Sequence, residues 1–236
     1  RVGNTIGSLF GYVAEGLVTP DDFDAEGNYL HAEPAEGIPA PGDIRFRDLN
    51  NDGRITDLDR TLIGKSLPDF IGGLNFEASW KNFDFSVFLN GMFNYEIFHE
   101  QKASLSSFVN QDINHNKLRE WTNNYYTDDN PTSEYVRADP NNTNDNNRIS
   151  TWWIEDGTFV RVRDIQLAYS IPSNILSNVG INRARLYVSA SNPLLFTGYS
   201  GRDPENAGDS DPLEAGTDNG GYPNPRVYTF GMQIEF

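Results

Sequence analysis

Apolar and polar residues alternate with period 2 along most of this chain, and hardly any stretch follows the 3.6-residue period of a helix. The clearest case is RVYTFGMQIEF at 226–236. Tyr228, Phe230, Met232, Ile234 and Phe236 share one face of the predicted strand, and Val227, Thr229, Gly231, Gln233 and Glu235 share the other. One face is rich in rings and the other suits water. In RARLYVSASN, Ala184, Leu186, Val188 and Ala190 oppose Arg183, Arg185, Tyr187, Ser189 and Ser191. GLNFEASWK sets Leu74, Phe76, Ala78 and Trp80 against Asn75, Glu77 and Ser79, and FDFSVFLN aligns Phe83, Phe85, Val87 and Leu89. TFVRVRDIQLAYSI changes parity, because Val160 and Val162 are even while Ile165, Leu167, Tyr169 and Ile171 are odd. A one-residue bulge near Asp164 restores the register. The opening residues RVGNTIGSLFGYV also read as strand.

The connections alternate in length. Lys81 and Asn82 form a tight turn and 172–182 a short one, whereas about 18–69, 94–156 and 195–224 are long, polar and rich in Asn, Asp, Gly and Pro. Tracing directions back from Phe236 gives six strands, at about 5–16, 70–80, 83–93, 158–171, 183–194 and 226–236, and puts all three long loops at one end. Short turns at one end and long loops at the other is the pattern of an outer-membrane barrel. Compact soluble domains seldom carry three such loops. Single-chain barrels start at about 8 strands, so six do not close one. The expected class is all-β, an antiparallel transmembrane β-barrel segment with long extracellular loops. The chain, which opens at Arg1, is read as processed or a fragment. A soluble, secreted β-sandwich that binds carbohydrate through loop aromatics and calcium is the alternative.

Composition narrows the function. Against 18 Lys and Arg stand 34 Asp and Glu, a net charge of −16, so the surface lacks the basic tract that a nucleic-acid backbone requires. Hydrophobic residues reach only 37 %, but aromatics reach 13 %, too many for a disordered chain. With 0 Cys there is no disulfide, no thiolate metal site and no cysteine nucleophile. No apolar run approaches the ~18 to 20 residues of a membrane helix, a test to which barrel strands are blind.

DLNNDGRITDLD, at 48–59, has the spacing of an EF-hand calcium loop. Asp48, Asn50 and Asp52 take the first, third and fifth places, Gly53 the sharp turn, and Arg54 offers its carbonyl. Asp59 stands where an EF-hand has Glu, and its shorter carboxylate predicts weak binding. Asx-turns at Asp48 and Asn50 are the metal-free alternative. Catalytic signals are lacking: His31, His99 and His115 follow no ligand spacing, and the nucleophile-elbow and phosphate-loop motifs are absent. Loop aromatics, chiefly Tyr125, Trp152 and Trp153, suit stacking on a substrate or pinning loops together. Arg161, Arg163, Arg183 and Arg185 form a ladder on the polar strand faces, as expected for a lumen lining that pairs with acids.

Several stretches together resemble one family, the SusC/RagA-type TonB-dependent transporters of the Bacteroidota outer membrane. GDIRFRDLNNDGRITDLDRTLIGKSLPDFIGGLNFEASWKNFDFSVFLNG is similar to its calcium-loop-like region followed by a P-D-F-x-x-G strand entry. NNRISTWWIEDGTFVRVRDIQLAYSIP resembles its I-E-D-G block, and RLYVSASNPLLFTGYSGRDPE with GGYPNPRVYTFGMQIEF its last two strands. The resemblance implies the C-terminal part of a barrel of about 22 strands with a plugged lumen. It implies a carrier in the cell outer membrane, not an enzyme, importing oligosaccharide or peptide fragments with a SusD-like surface lipoprotein and with TonB. It further implies that Phe236 is a signal for the barrel-assembly machinery. The Asn-rich PNNTNDNNR, at 140–148, suggests a variable outer loop.

Overall fold

In a computed structural model the described residues are 6–34, 37–108, 116–176, 180–207 and 215–236. In chain order they form β1 (Ser8–Gly11), β2 (Ala14–Leu17), β3 (Glu33–Pro34), β4 (Ile44–Phe46), β5 (Arg54–Ile55) and β6 (Thr61–Lys65). Then come β7 (Phe70–Trp80), β8 (Phe83–Phe93), β9 (Glu96–Phe98), α1 (Glu100–Leu105), α2 (Arg119–Asn124) and β10 (Ile154–Asp156). The chain closes with β11 (Phe159–Ser170), α3 (Ser173–Leu176), β12 (Arg183–Thr197) and β13 (Val227–Glu235). Among the described residues no helix is long and apolar enough to cross a membrane, which says nothing of strands.

The chain divides into two compact units. One, from 68–95, 156–206 and 222–236, is a five-stranded antiparallel sheet in the order β13-β12-β11-β8-β7. The hairpin of β7 and β8 turns through Lys81, at φ 57°, and Asn82, with Trp80 paired to Phe83. The parity change in β11 is a bulge: the register slips between Val162 and Asp164 against both β8 and β12. Arg163 is the extra residue, and it returns the aliphatic positions on either side of it to one face. At Gly231 a side chain would meet the Tyr187 ring at 2.2 Å, so the ring covers the strand on its polar face.

The other unit gathers 1–67, 96–155 and 207–221, the long connections of the chain, around a core of Ile44, Phe46, Ile55, Phe98, Ala103, Trp121, Val136 and Trp153. Its strands are short because the apolar positions are sparse and the intervening polar residues cap turns. One sequence expectation is corrected here. The strand expected at 5–16 is not a sixth member of the sheet: residue 5 lies outside the described residues, β1 pairs with β6, and β2 pairs with β4. Two short strands broken at Tyr12 and Val13 are too brief to run the length of β7 or β8.

The Asn-rich 140–148 segment, expected as a variable outer loop, is tied to β4 by its side chains. Asn144 and Asn146 are 1 % and 2 % exposed beside Asp43, which is 0 % exposed. Asn146 Nδ2 and Arg137 Nε donate to Asp43 Oδ1 at 2.8 and 2.7 Å, and the Ala40 N–H donates to Oδ2 at 2.8 Å. Asn144 Nδ2 donates to the Ile44 carbonyl at 2.8 Å, and Asn146 Oδ1 accepts the Ile44 N–H at 2.9 Å. The amides substitute for a β ladder along β4, satisfying main-chain groups that burial would otherwise leave unpaired.

Candidate functional site

The sheet has two chemically opposite faces, and its register lines them up in rows. Ala78, Phe85, Leu167, Val188 and Phe230 are successive partners across all five strands. Trp80, Phe83, Tyr169, Leu186 and Met232 form the next row. All but the half-buried Phe85 and Tyr169 are exposed, Phe230 at 82 % and Trp80 at 67 %. A continuous apolar surface of this extent is not left to water. The opposite face carries Glu77, Ser86, Gln166, Ser189 and Thr229 in one row, and Arg185 beside Gln233 in another.

On the polar face three arginines of the ladder, Arg161, Arg163 and Arg185, lie against acids. Arg161, 2 % exposed, donates from Nη2 to Asp203 Oδ1 at 2.5 Å, and its Nε lies 3.2 Å from Glu205 Oε2 without hydrogen-bond alignment. Arg163 pairs with Glu205, and Arg185 Nη2 lies 3.5 Å from Asp84 Oδ2. Among these residues Tyr95 donates its hydroxyl to the Pro204 carbonyl at 3.2 Å, and burial with the nearby Glu205 and Asp203 charges raises its phenol well above the usual value.

In the loop unit a groove of ≈ 640 Å³ opens beside α1. Lys102 and Ser106, four residues apart and so on one helical face, line its floor. Lys102 Nζ donates to Glu155 Oε1 at 2.7 Å, while the buried Ser106 hydroxyl has no hydrogen-bond partner among the described residues. Trp152 and Tyr135, both half-buried, form the walls with the 131–136 segment. A ring platform, a cation and an unsatisfied hydroxyl in one concavity are the elements of a small-molecule site.

Comparison with known proteins decides what this arrangement belongs to. TonB-dependent receptor P3 of Formosa agariphila is 32 % identical over 250 residues, covering 100 % of this chain and 23 % of that protein. TonB-dependent receptor SusC of Bacteroides thetaiotaomicron is 26 % identical over 221 residues, 91 % of this chain and 20 % of SusC. The RagAB peptide transporter structure superposes with a TM-score of 0.68 at 20 % identity, covering 97 % of this chain and 23 % of that one. The chain is of the SusC/RagA type. It spans about a quarter of the length of the relatives it matches. No family model matches it.

In this SusC/RagA-type fold the aromatics singled out by sequence have divided roles. Trp153 packs into the core at 3 % exposure, and its Nε1 donates to the Asn146 carbonyl at 2.8 Å. Tyr125 packs its ring 5.3 Å from that of Trp121, at the edge of the same core. Of the three, Trp152 and Trp153 both line the groove and Tyr125 does not. Ser106 and Lys102 were not legible as site residues, since nothing in their local sequence marks them.

The 48–59 loop turns its oxygens toward its own backbone. Asp48 Oδ1 and Oδ2 accept the N–H groups of Asn51 and Gly53 at 2.7 and 2.8 Å, and Asp52 Oδ1 accepts that of Arg54 at 2.9 Å. Asn50 Oδ1 accepts the Asp52 N–H at 2.9 Å. Asp59, 0 % exposed, accepts the N–H groups of Leu49 and Thr56 at 2.9 and 2.8 Å. Burial pushes its carboxyl up, but the hydrogen bonds from Thr56, Leu49 and Asn50 outweigh that and hold it below the usual range. Among the described residues no three Asp, Glu or His side chains converge closely enough to hold a metal. The donor spacing is present, but the carboxylates serve as Asx-turn acceptors, and Asp59 staples the loop shut.

Proposed function

We propose that this chain is part of an outer-membrane, TonB-dependent importer of glycan or peptide fragments that works with a SusD-like surface lipoprotein. The observation that carries the reading is the set of unbroken apolar rows across five strands, with ion-paired polar rows on the other face. Such a sheet is stable only with lipid against one side and a hydrated lumen on the other. RagAB is a peptide transporter, which supports import of peptide-sized cargo by this architecture. A soluble sandwich would bury one of the faces left open here.

Within this reading the groove beside α1 is where cargo meets the loop unit, with Trp152 as the stacking platform. Trp152→Ala in the full-length receptor should weaken cargo binding about tenfold, the effect of losing one aromatic anchor, while barrel stability stays unchanged. Titration calorimetry of the detergent-solubilised receptor reads this directly. Unchanged affinity would move the cargo site elsewhere.

Calcium at 48–59 rests on the donor spacing of Asp48, Asn50, Asp52, Asp59 and the Arg54 carbonyl. Binding requires Asp59 to leave its backbone staple, so affinity should be weak, at millimolar concentrations typical of extracellular modules. Thermal unfolding of the receptor should shift upward when millimolar calcium replaces chelator. No shift would leave the Asx-turns as the sole support of the loop.

Phe236, 83 % exposed after the edge strand β13, is proposed as the assembly signal. An edge strand with unpaired main-chain groups is a template for strand addition, and a terminal ring can anchor it. Removing Phe236 should lower outer-membrane levels while the refolded barrel keeps near-wild-type stability. A loss of stability with normal export would make the ring structural.

A further inference from the structure

We propose a second ligand site in the sheet unit, a cationic groove that takes an acidic oligosaccharide through Arg202 and Arg226. The groove, of ≈ 550 Å³, lies between the end of β12 and the 222–226 segment and is lined by Arg161, Arg202, Asp203, Tyr222 and Arg226 among others.

Charge pairing within this region leaves an excess of cations. Arg161 and Arg163 are matched by Asp203 and Glu205. Both oxygens of Asp203 are spent: Oδ1 accepts from Arg161 Nη2 and the Glu205 N–H, and Oδ2 accepts the Asn224 N–H at 3.0 Å. Asp203 is 4 % exposed, so it offers no further acceptor to the groove. Among the described residues Arg202 and Arg226 have neither an ion pair nor a hydrogen bond, and both are exposed. Two free guanidinium groups in one concavity are notable in a chain of net charge −16, where carboxylates are abundant. A guanidinium presents its N–H groups as a fork that matches a carboxylate or sulfate in bidentate fashion.

The wall that carries Arg226 is held in place before any ligand arrives. Asn192 Nδ2 donates to the Pro225 carbonyl at 3.1 Å, and Asn206 Nδ2 donates to the Tyr222 carbonyl at 2.5 Å. With Asn224 bound to Asp203, three successive anchors fix 222–226, and Pro223 and Pro225 restrict it further. Little ordering cost is left to binding.

The rings and prolines favour a sugar over a peptide. The Tyr222 side chain is 91 % exposed, a flat face beside the two arginines on which a pyranose ring can stack. A peptide laid along this wall as a strand would meet Pro223 and Pro225, which have no N–H to donate. The ligand class is therefore an oligosaccharide bearing carboxylate or sulfate groups.

This proposal rests on the importer reading, and calorimetry on the full-length receptor in detergent separates the two. The probes are a uronic-acid oligosaccharide, a sulfated one, a neutral one of equal length and an acidic peptide. Arg202→Gln with Arg226→Gln should weaken the two acidic sugars about 10- to 100-fold, the equivalent of two charge-assisted contacts, and leave the neutral sugar unchanged. Added salt and inorganic sulfate should also weaken the acidic sugars in the wild type. An unchanged thermal unfolding profile shows that the double variant folds. Acidic sugars that bind both proteins equally, or do not bind the wild type, overturn the site. So does an acidic peptide that binds more tightly than the sugars with the same arginine dependence. Arginine-dependent binding without any uptake into cells would sink the importer reading and leave the site standing.

Discussion

Phe230→Arg in the full-length receptor is expected to destabilise the folded barrel by about 2–4 kcal/mol, the cost of an arginine on the lipid face near the midplane. Phe230 occupies the row Ala78, Phe85, Leu167, Val188, so the guanidinium would replace a ring flanked by apolar side chains on its paired strand. Gln233→Arg, on the same strand but the other face and paired with Arg185, should be mild, since that face is already polar. Reversible urea unfolding of the refolded receptor in lipid vesicles measures both. Equal costs at the two positions would show that the two faces meet the same medium, and the barrel reading would fall with it.

The loop unit should respond to a different kind of change. Asp43→Ala is expected to cost about 1–3 kcal/mol, because it takes a buried acceptor from three donors while Arg137 keeps its pair with Asp139 at 2.9 Å. The stranded donors are Arg137 Nε, Asn146 Nδ2 and the Ala40 N–H. Asp43→Asn keeps the shape, returns one acceptor and should cost less. Hydrogen exchange in the full-length receptor should show lost protection around β4 and 140–148 while the sheet strands remain protected. Protection unchanged in both regions would mean that the apolar core alone holds this unit.

The pH dependence of the 48–59 loop follows from Asp59. Its carboxyl titrates lower when folded than when unfolded, so its stabilisation is present above the unfolded value and is lost as pH falls through the folded one. The same holds for Asp139, where burial raises the carboxyl but hydrogen bonds from Thr143 and Asn141, with the Arg137 charge, hold it low. Acid should therefore loosen both regions of the loop unit.

The alternation of apolar and polar residues by itself determined the long strands, their two faces and even the bulge beside Asp164. Those features depend on period 2, which a strand buried or lipid-bathed on one side must obey along its whole length. The tertiary structure alone decided the loop unit. Ser8–Gly11 alternates as well as a barrel strand does, yet it pairs with β6, because pairing is chosen by partners distant in sequence. Asn144 and Asn146 read as solvent-facing residues, and only their meeting with Ile44 and Asp43, about a hundred positions away, makes them interior. Trp152 and Trp153 are identical to any sequence argument, and only the fold buries Trp153 in the core while leaving Trp152 half-buried against it. A polar residue is buried when the groups that satisfy it arrive from elsewhere in the chain, and no local pattern encodes that arrival.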